Sequence, residues 1–302
     1  MRERILQRIY AAAPTQQKKI GRFLASDPKV SAELDAFLAR YAPYMKANAI
    51  EPEALADAYL EMVNEVIEAR MEFLRQGVYP AHSASLALGA VYQNPAVMKH
   101  YMLGLALSYF LWRHHQQLLN FFRESVRASQ PQGWALEVGC GHGLFLAELL
   151  DLAPGLQGLD VVDLSPTSID MARSLVQCLG PAYVDRSHFF LQDLYQWQSP
   201  RLYSFITLGE VLEHVEDPGG MLRALGRFLQ PDGRLYITTC ANCPAIDHVY
   251  HFKTVEEIRA VARAAGYRIV SELVAPSEER SEADLARHQI DISYAALLAK
   301  EA

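Results

Sequence analysis

Cysteine is scarce in this chain, with only Cys140, Cys178, Cys240 and Cys243 among 302 residues. So few thiols give no disulfide framework, and the N-terminus MRERILQRIY lacks the apolar stretch of a signal peptide, so the reading is a cytoplasmic protein. Basic residues are also short. Lys plus Arg number 28 against 35 Asp plus Glu, net charge is −7, and no basic run occurs, so attraction to nucleic acid has no visible source. The longest lipid-like run, Tyr101 to Trp112, falls well below the roughly 20 residues of a spanning helix. Lys99, His100, Arg113 and His114 flank it. No internal repeat or low-complexity tract is present. These absences leave a small molecule as the expected partner, with no nucleic acid and no membrane, and are compatible with a homodimer.

What is present is hydrophobic content of 51%, enough for a large core and for two domains of ordinary size. Residues 1 to 130 read as helices, because apolar positions recur at three and four between capping signals. Asp27-Pro28 opens one, with Val30, Leu34, Phe37, Leu38 and Tyr41 on one face, and Pro43 is expected to stop it. Glu51-Pro52 opens a second, with the stripe Leu55, Tyr59, Met62, Val66 and Phe73, closed by Gly77. Asn94-Pro95 starts a third, expected to run to about Arg127, whose middle is apolar nearly all round.

The texture changes at Ser129–Gly133. From there to 302, short apolar runs alternate with helical patterns, which is how β-α units of a parallel sheet read. The strands expected are Ala135–Val138, Leu159–Asp163, His188–Gln192, Phe205–Leu208, Arg234–Thr239, Tyr267–Val274 and Ile290–Leu298. No long apolar helix separates the last two, so they pair antiparallel at one edge. The fold class is α/β, a Rossmann-like mixed sheet of seven strands in residues 131–302, under an all-α N-terminal lid domain of residues 1–130.

Chemistry concentrates after the first strand. Glu137-Val-Gly139-Cys140-Gly141-His142-Gly143 sits between a strand and the helix Leu144–Asp151, where glycines allow close backbone approach to a ligand. Position 144 is leucine where a phosphate-binding dinucleotide fingerprint has its third glycine, so NAD is disfavoured. The second strand ends at Asp163, whose carboxylate can accept both hydroxyls of a ribose.

At this point the sequence resembles the class I S-adenosylmethionine (SAM)-dependent methyltransferases, over Trp134 to Lys300. LEVGCGHG looks like the family's first motif, VVDLSP its second-strand motif, FFLQDL its adenine-side motif, and GEVLEHVEDP with LQPDGRLYITT its fourth and fifth strands. Ser204 departs from the aspartate common before the fourth strand, at a position that touches no ligand. The resemblance implies SAM as cofactor, its methionine part over Gly139, Cys140 and Gly141, with Glu137 orienting the loop or the cofactor's amine and Gly143 in the same cofactor set. Asp163 and Leu164 would face the ribose, Asp193 and Leu194 the adenine, and Gly209 and Glu210 would complete the cofactor set.

Glu210 and His214 are one turn apart if a helix follows the fourth strand, so both could face the cleft. After the fifth strand comes Cys240-Ala-Asn242-Cys243-Pro-Ala-Ile-Asp247-His248-Val-Tyr250-His251, crowded with donors and acceptors. Asn242, Asp247 and Tyr250 are substrate-binding candidates. Asp247 could orient His248 or His251 as a base, with His214 as a third candidate, against the reading of each as a structural histidine. No metal is expected: Asp247, His248 and His251 lack a known ligand spacing, and Cys240-x-x-Cys243 has no second pair. Tyr92, His100, Tyr101 and Tyr109 are polar-tipped residues in or before the apolar helix, either core residues with internal partners or the roof of a pocket, with Tyr101 and Tyr109 as substrate contacts.

The function expected is methyl transfer from SAM to a small metabolite whose nucleophile must lose a proton. Two alternatives stand beside it: a non-methylating use of SAM, such as attack by its own amine to form azetidine-2-carboxylate, and a non-catalytic SAM-binding protein. The intact glycine and acid positions oppose the last.

Overall fold

Helices form the first part of the chain wherever a cap precedes an apolar stripe. In the structure, a computed structural model that describes residues 1–79, 83, 88–92, 94–199 and 201–301, α1 (Arg2–Ala12) and α2 (Pro14–Leu24) bury Ile5, Ile9, Ile20 and Phe23. Helix α3 (Pro28–Ala47) starts where Asp27 accepts the Lys29 amide at 2.8 Å. Helix α4 (Pro52–Gln76) ends at Gly77, whose φ of 74° suits a residue without a Cβ.

Two breaks differ from expectation. Pro43 lies inside α3 instead of ending it. Proline within a helix costs roughly 3 kcal/mol, and here Tyr41, Tyr44 and Met45 are buried around it and offset the loss. The long third helix is two, α5 (Pro95–Leu111) and α6 (Arg113–Ser129). Trp112 between them is extended, and its indole N–H donates to the Tyr59 hydroxyl at 2.7 Å. The break lets α6 leave the α4–α5 pair and lie across the sheet.

The sheet contains β1 (Gly133–Val138), β2 (Leu156–Asp163), β3 (Ser187–Leu191), β4 (Tyr203–Gly209), β5 (Leu229–Ala241), β6 (Tyr267–Pro276) and β7 (Ile292–Lys300), in the order 3-2-1-4-5-7-6. Strands β1 to β5 run parallel, and β7 is antiparallel to both neighbours. This is the Rossmann-like seven-stranded mixed sheet. Between the strands lie α7 (Leu144–Leu152), α8 (Pro166–Leu179), α9 (Pro181–Val184), α10 (Pro218–Gly226), α11 (Val255–Ala264) and α12 (Glu282–Arg287).

One face of the sheet shares a continuous core with α1 to α8, and the other packs on α10 and α11. Phe122 of α6 meets the rings of Phe145, Phe205 and Tyr236 at 4.8, 6.4 and 4.9 Å. Strand order reverses between β1 and β4, which opens a crevice at the carboxyl ends of the strands, the usual ligand position in such sheets. Helix α5 covers that crevice. It approaches α4 closely at Gly104, where a Cβ would stand 2.7 Å from the Ala58 carbonyl oxygen. No helix among the described residues is long and apolar enough to cross a membrane.

Candidate active site beneath helix α5

The crevice contains a cavity of about 370 Å³. On one side is the loop after β1, in which Gly139, Gly141 and Gly143 have φ of 75°, 45° and 74°. Only glycine adopts these values freely, and a Cβ on Gly139 or Gly141 would collide with Val211 Cγ2 (2.6 Å) or Met102 Sδ (2.9 Å). Asp163, at the end of β2, pins this loop: its Oδ2 accepts the Cys140 and Gly141 amides at 2.8 and 3.4 Å, and its Oδ1 accepts the Ser165 amide at 2.7 Å. Burial pushes its carboxyl up against these bonds. Asp193, beyond β3, accepts the Tyr195 amide at 2.9 Å and faces the cavity with Leu164 and Leu194. The glycine cradle and two acids at consecutive strand ends suit a nucleoside carrying a cationic side chain.

On the other side stand the groups after β4 and β5. A short 3-10 turn, Leu212–His214, follows β4. His214 Nδ1 lies 3.0 Å from the Asp247 carbonyl oxygen and 3.5 Å from its Oδ2. A carbonyl oxygen only accepts, so Nδ1 carries a proton, and in the neutral ring Nε2 is the nitrogen free to accept one. Tyr92 donates to Asp247 Oδ2 at 3.0 Å. Asp247 therefore serves His214, and neither His248 nor His251 as the spacing suggested. His248 Nδ1 donates to the Cys243 carbonyl oxygen at 2.6 Å, and its ring stands edge-on to His214 at 4.8 Å. Burial, with His214 beside it, lowers its pKa to about 4, so it is neutral at physiological pH. Cys240, Cys243 and His248 do bring donor atoms within 4.8 Å of one another, a grouping their spacing did not announce.

Glu210 and Glu213 are coupled. Burial and the neighbouring Glu213 push Glu210 up to about 8, and burial pushes Glu213 up to about 7 although it accepts from Thr239 at 2.7 Å. An acid with a raised folded pKa keeps protons that the unfolded chain has shed. The contribution of this pair to stability is therefore full below the unfolded value near 4.5 and is lost as pH rises through about 7 to 8. The expected result is a lower thermal midpoint at pH 8 than at pH 5, with a shallower fall in Glu213→Gln. A folded variant with the parent's slope would show that Glu213 is not its source.

Of the residues singled out from sequence, Gly139, Cys140, Gly141, Asp163, Leu164, Asp193, Leu194, Gly209, Glu210, His214, Tyr101, Tyr109, Asp247 and His248 line the cavity. Tyr92 lines it too, and Glu137, Gly143, Asn242, Tyr250 and His251 do not. Glu137 is buried beneath the loop with one oxygen unpartnered, and Gly143 caps α7. His251 Nε2 bonds Asn242 Oδ1 at 2.9 Å, and its ring stacks on Tyr79 at 4.5 Å. Asn242 Nδ2 donates to the Lys253 carbonyl oxygen at 3.0 Å, and Tyr250 donates to Glu257 at 3.2 Å. These three brace the chain after β5. His100 is also away from the cavity, 3.0 Å from Glu65.

Sequence reasoning missed the stripe Met98, Met102 and Leu105 on α5, and His115 and His142, all of which line the cavity. The stripe was findable, since these positions share one helical face with Tyr101 and Tyr109. The histidines were not: they meet Tyr109, at 5.1 and 5.5 Å, only once α5 lies over the loop.

Residues 112–272, more than half of the chain, match the model of a methyltransferase domain family. The chain belongs to the SAM-dependent methyltransferase family. SAM is its cofactor. Similar proteins include nodulation protein S of Rhizobium tropici, 35% identical over 148 residues, which cover 47% of this chain and 57% of that one. Ubiquinone biosynthesis O-methyltransferase of Xanthomonas campestris pv. campestris is 34% identical over 121 residues, covering 40% and 48%. The chain thus spans about half the length of the curated relatives it matches. Among solved structures, the 4+2 cyclase SpnF aligns with a TM-score of 0.50 and 17% identity over 62% of this chain and 81% of that one, a likeness of fold alone. The methyltransferase match begins at Trp112, so α1 to α5 lie outside it.

Proposed function

We propose that this methyltransferase methylates a small molecule enclosed beneath α5, with His214 as the base. The observation that carries this reading is the arrangement of two halves around one cavity, the glycine loop with Asp163 on one side and the Tyr92–Asp247–His214 chain on the other. SAM supplies a methyl group on a positively charged sulfur. Catalysis of its transfer is largely alignment and exclusion of water. The Gly139–Gly141 backbone and Asp163 hold the cofactor's methionine and ribose, and Asp193 with Leu164 and Leu194 holds the adenine. Tyr92 and Asp247 hold His214 in the tautomer whose Nε2 can take a proton. Helix α5 is the lid: Met102, Tyr101 and Tyr109 close the cavity from above. Residues 1–130 act as a lid and substrate domain, and 131–302 as the catalytic domain.

The test is the by-product of SAM turnover with acceptors offering oxygen, nitrogen or sulfur. S-adenosylhomocysteine formed only with an acceptor is the expected result. Methylthioadenosine without any acceptor would replace methyl transfer by attack from the cofactor's own amine, and intact SAM throughout would leave only binding.

A further inference from the structure

Five carboxylates line the cavity among the described residues, Asp163, Asp193, Glu210, Asp247 and Asp291, and no lysine or arginine does. Asp163 and Asp193 belong to the nucleoside in the reading above. At the opposite end, two of these carboxylates each keep one buried oxygen without a hydrogen-bond partner, Glu210 Oε1 and Asp247 Oδ1. Asp247 is 1% exposed. A bare carboxylate oxygen out of water is costly unless a donor, best a charged one, meets it. Glu210 and Glu213 bond each other and His214 Nε2 stands 3.9 Å from Glu213 Oε1, whereas no group among the described residues meets Asp247 Oδ1. Tyr92 is spent on the other Asp247 oxygen, and His248 is neutral.

The missing partner is positively charged, compact and able to donate several hydrogen bonds at once, which describes an ammonium group. Rings of Tyr92, Tyr101 and Tyr109 border the same space and offer π faces that favour a cation. Met62, Met98, Met102 and Leu105 line the remainder, so the body attached to the amine is apolar.

We propose that the substrate is an apolar primary amine, bound as its ammonium ion against Asp247 and Glu210, and that its nitrogen receives the methyl group. The proposal rests on the methyl-transfer reading above. One N–H proton passes to His214 Nε2, and the freed nitrogen lone pair forms the bond to the methyl carbon. The carbon–sulfur bond breaks with its electron pair left on sulfur. The products are an N-methylammonium ion, neutral S-adenosylhomocysteine and a proton held on His214.

The experiment offers the full-length protein, saturated with S-adenosylhomocysteine, a panel of propylamine, benzylamine and phenethylamine. Each is paired with the alcohol and the thiol of the same skeleton, and binding is read by calorimetry. At least one amine is expected to bind about 10-fold or more tightly than its alcohol, a difference of one charged contact. Asp247→Asn should remove that preference while leaving SAM affinity within about 2-fold. If Asp247→Asn does not fold, Glu210→Gln, on the cavity surface, carries the amine-over-alcohol readout.

Absence of any amine preference across the panel overturns the proposal. So does a preference that a chelator abolishes, which would make the occupant a metal ion. Equal loss of SAM and amine affinity in the variant would assign the carboxylates to the cofactor and overturn it too. Failure of methyl transfer itself looks different: amines would still bind preferentially, but methylthioadenosine would accumulate in place of an N-methyl product.

Discussion

Asp163→Ala is expected to weaken SAM binding by about 100-fold or more, because a charged hydrogen bond contributes roughly 1.5–3 kcal/mol and this carboxylate serves more than one partner. Its two oxygens already hold the amides of Cys140, Gly141 and Ser165, so the same substitution that removes the acceptor proposed for the ribose also frees the loop proposed to cradle the methionine part. Both losses act on the cofactor. Calorimetry on a variant with native circular dichroism measures the effect, and unchanged affinity would refute the placement. Asp163→Asn should fall between parent and alanine, since its amide oxygen still accepts from the loop.

His214→Asn should lower turnover roughly 100-fold while SAM affinity stays within about 3-fold, the usual size of a lost general base. Any limb of the parent's pH profile that belongs to this residue should be missing from the variant. The other histidines separate by place. His248 is held neutral down to about pH 4, so a limb that it controlled would lie near that value. His251 is packed on Tyr79 behind the wall, so His251→Ala should lower stability and keep the parent's pH profile. A His214→Asn enzyme of parental rate would remove this residue from the mechanism, and an unaltered limb would move the base to His248.

The fold was legible in sequence because its signals are local. Alternation, strand length and the glycine loop are properties of short windows, and the mixed sheet of seven follows from a polar loop in place of a crossover helix. Helix ends were less legible. Pro43 survives inside α3 because distant side chains bury its neighbours, and Trp112 breaks the long helix where its indole N–H reaches Tyr59, 53 residues away. Neither partner can be seen from the window around the break.

The site divides the same way. By itself the sequence determined the glycine loop and the acid beside it, since Gly139, Gly141 and Asp163 follow strand ends directly and their backbone demands are fixed by chemistry a few residues long. Only the tertiary structure decided the catalytic end. Asp247 adjoins His248 in sequence yet serves His214 from another loop, and His251 turns away to pack on Tyr79. The reason is geometric: a loop without periodicity does not say which way its side chains point, and the charge and hydrogen-bond partners that give a histidine its role come from whichever elements the sheet order brings alongside it.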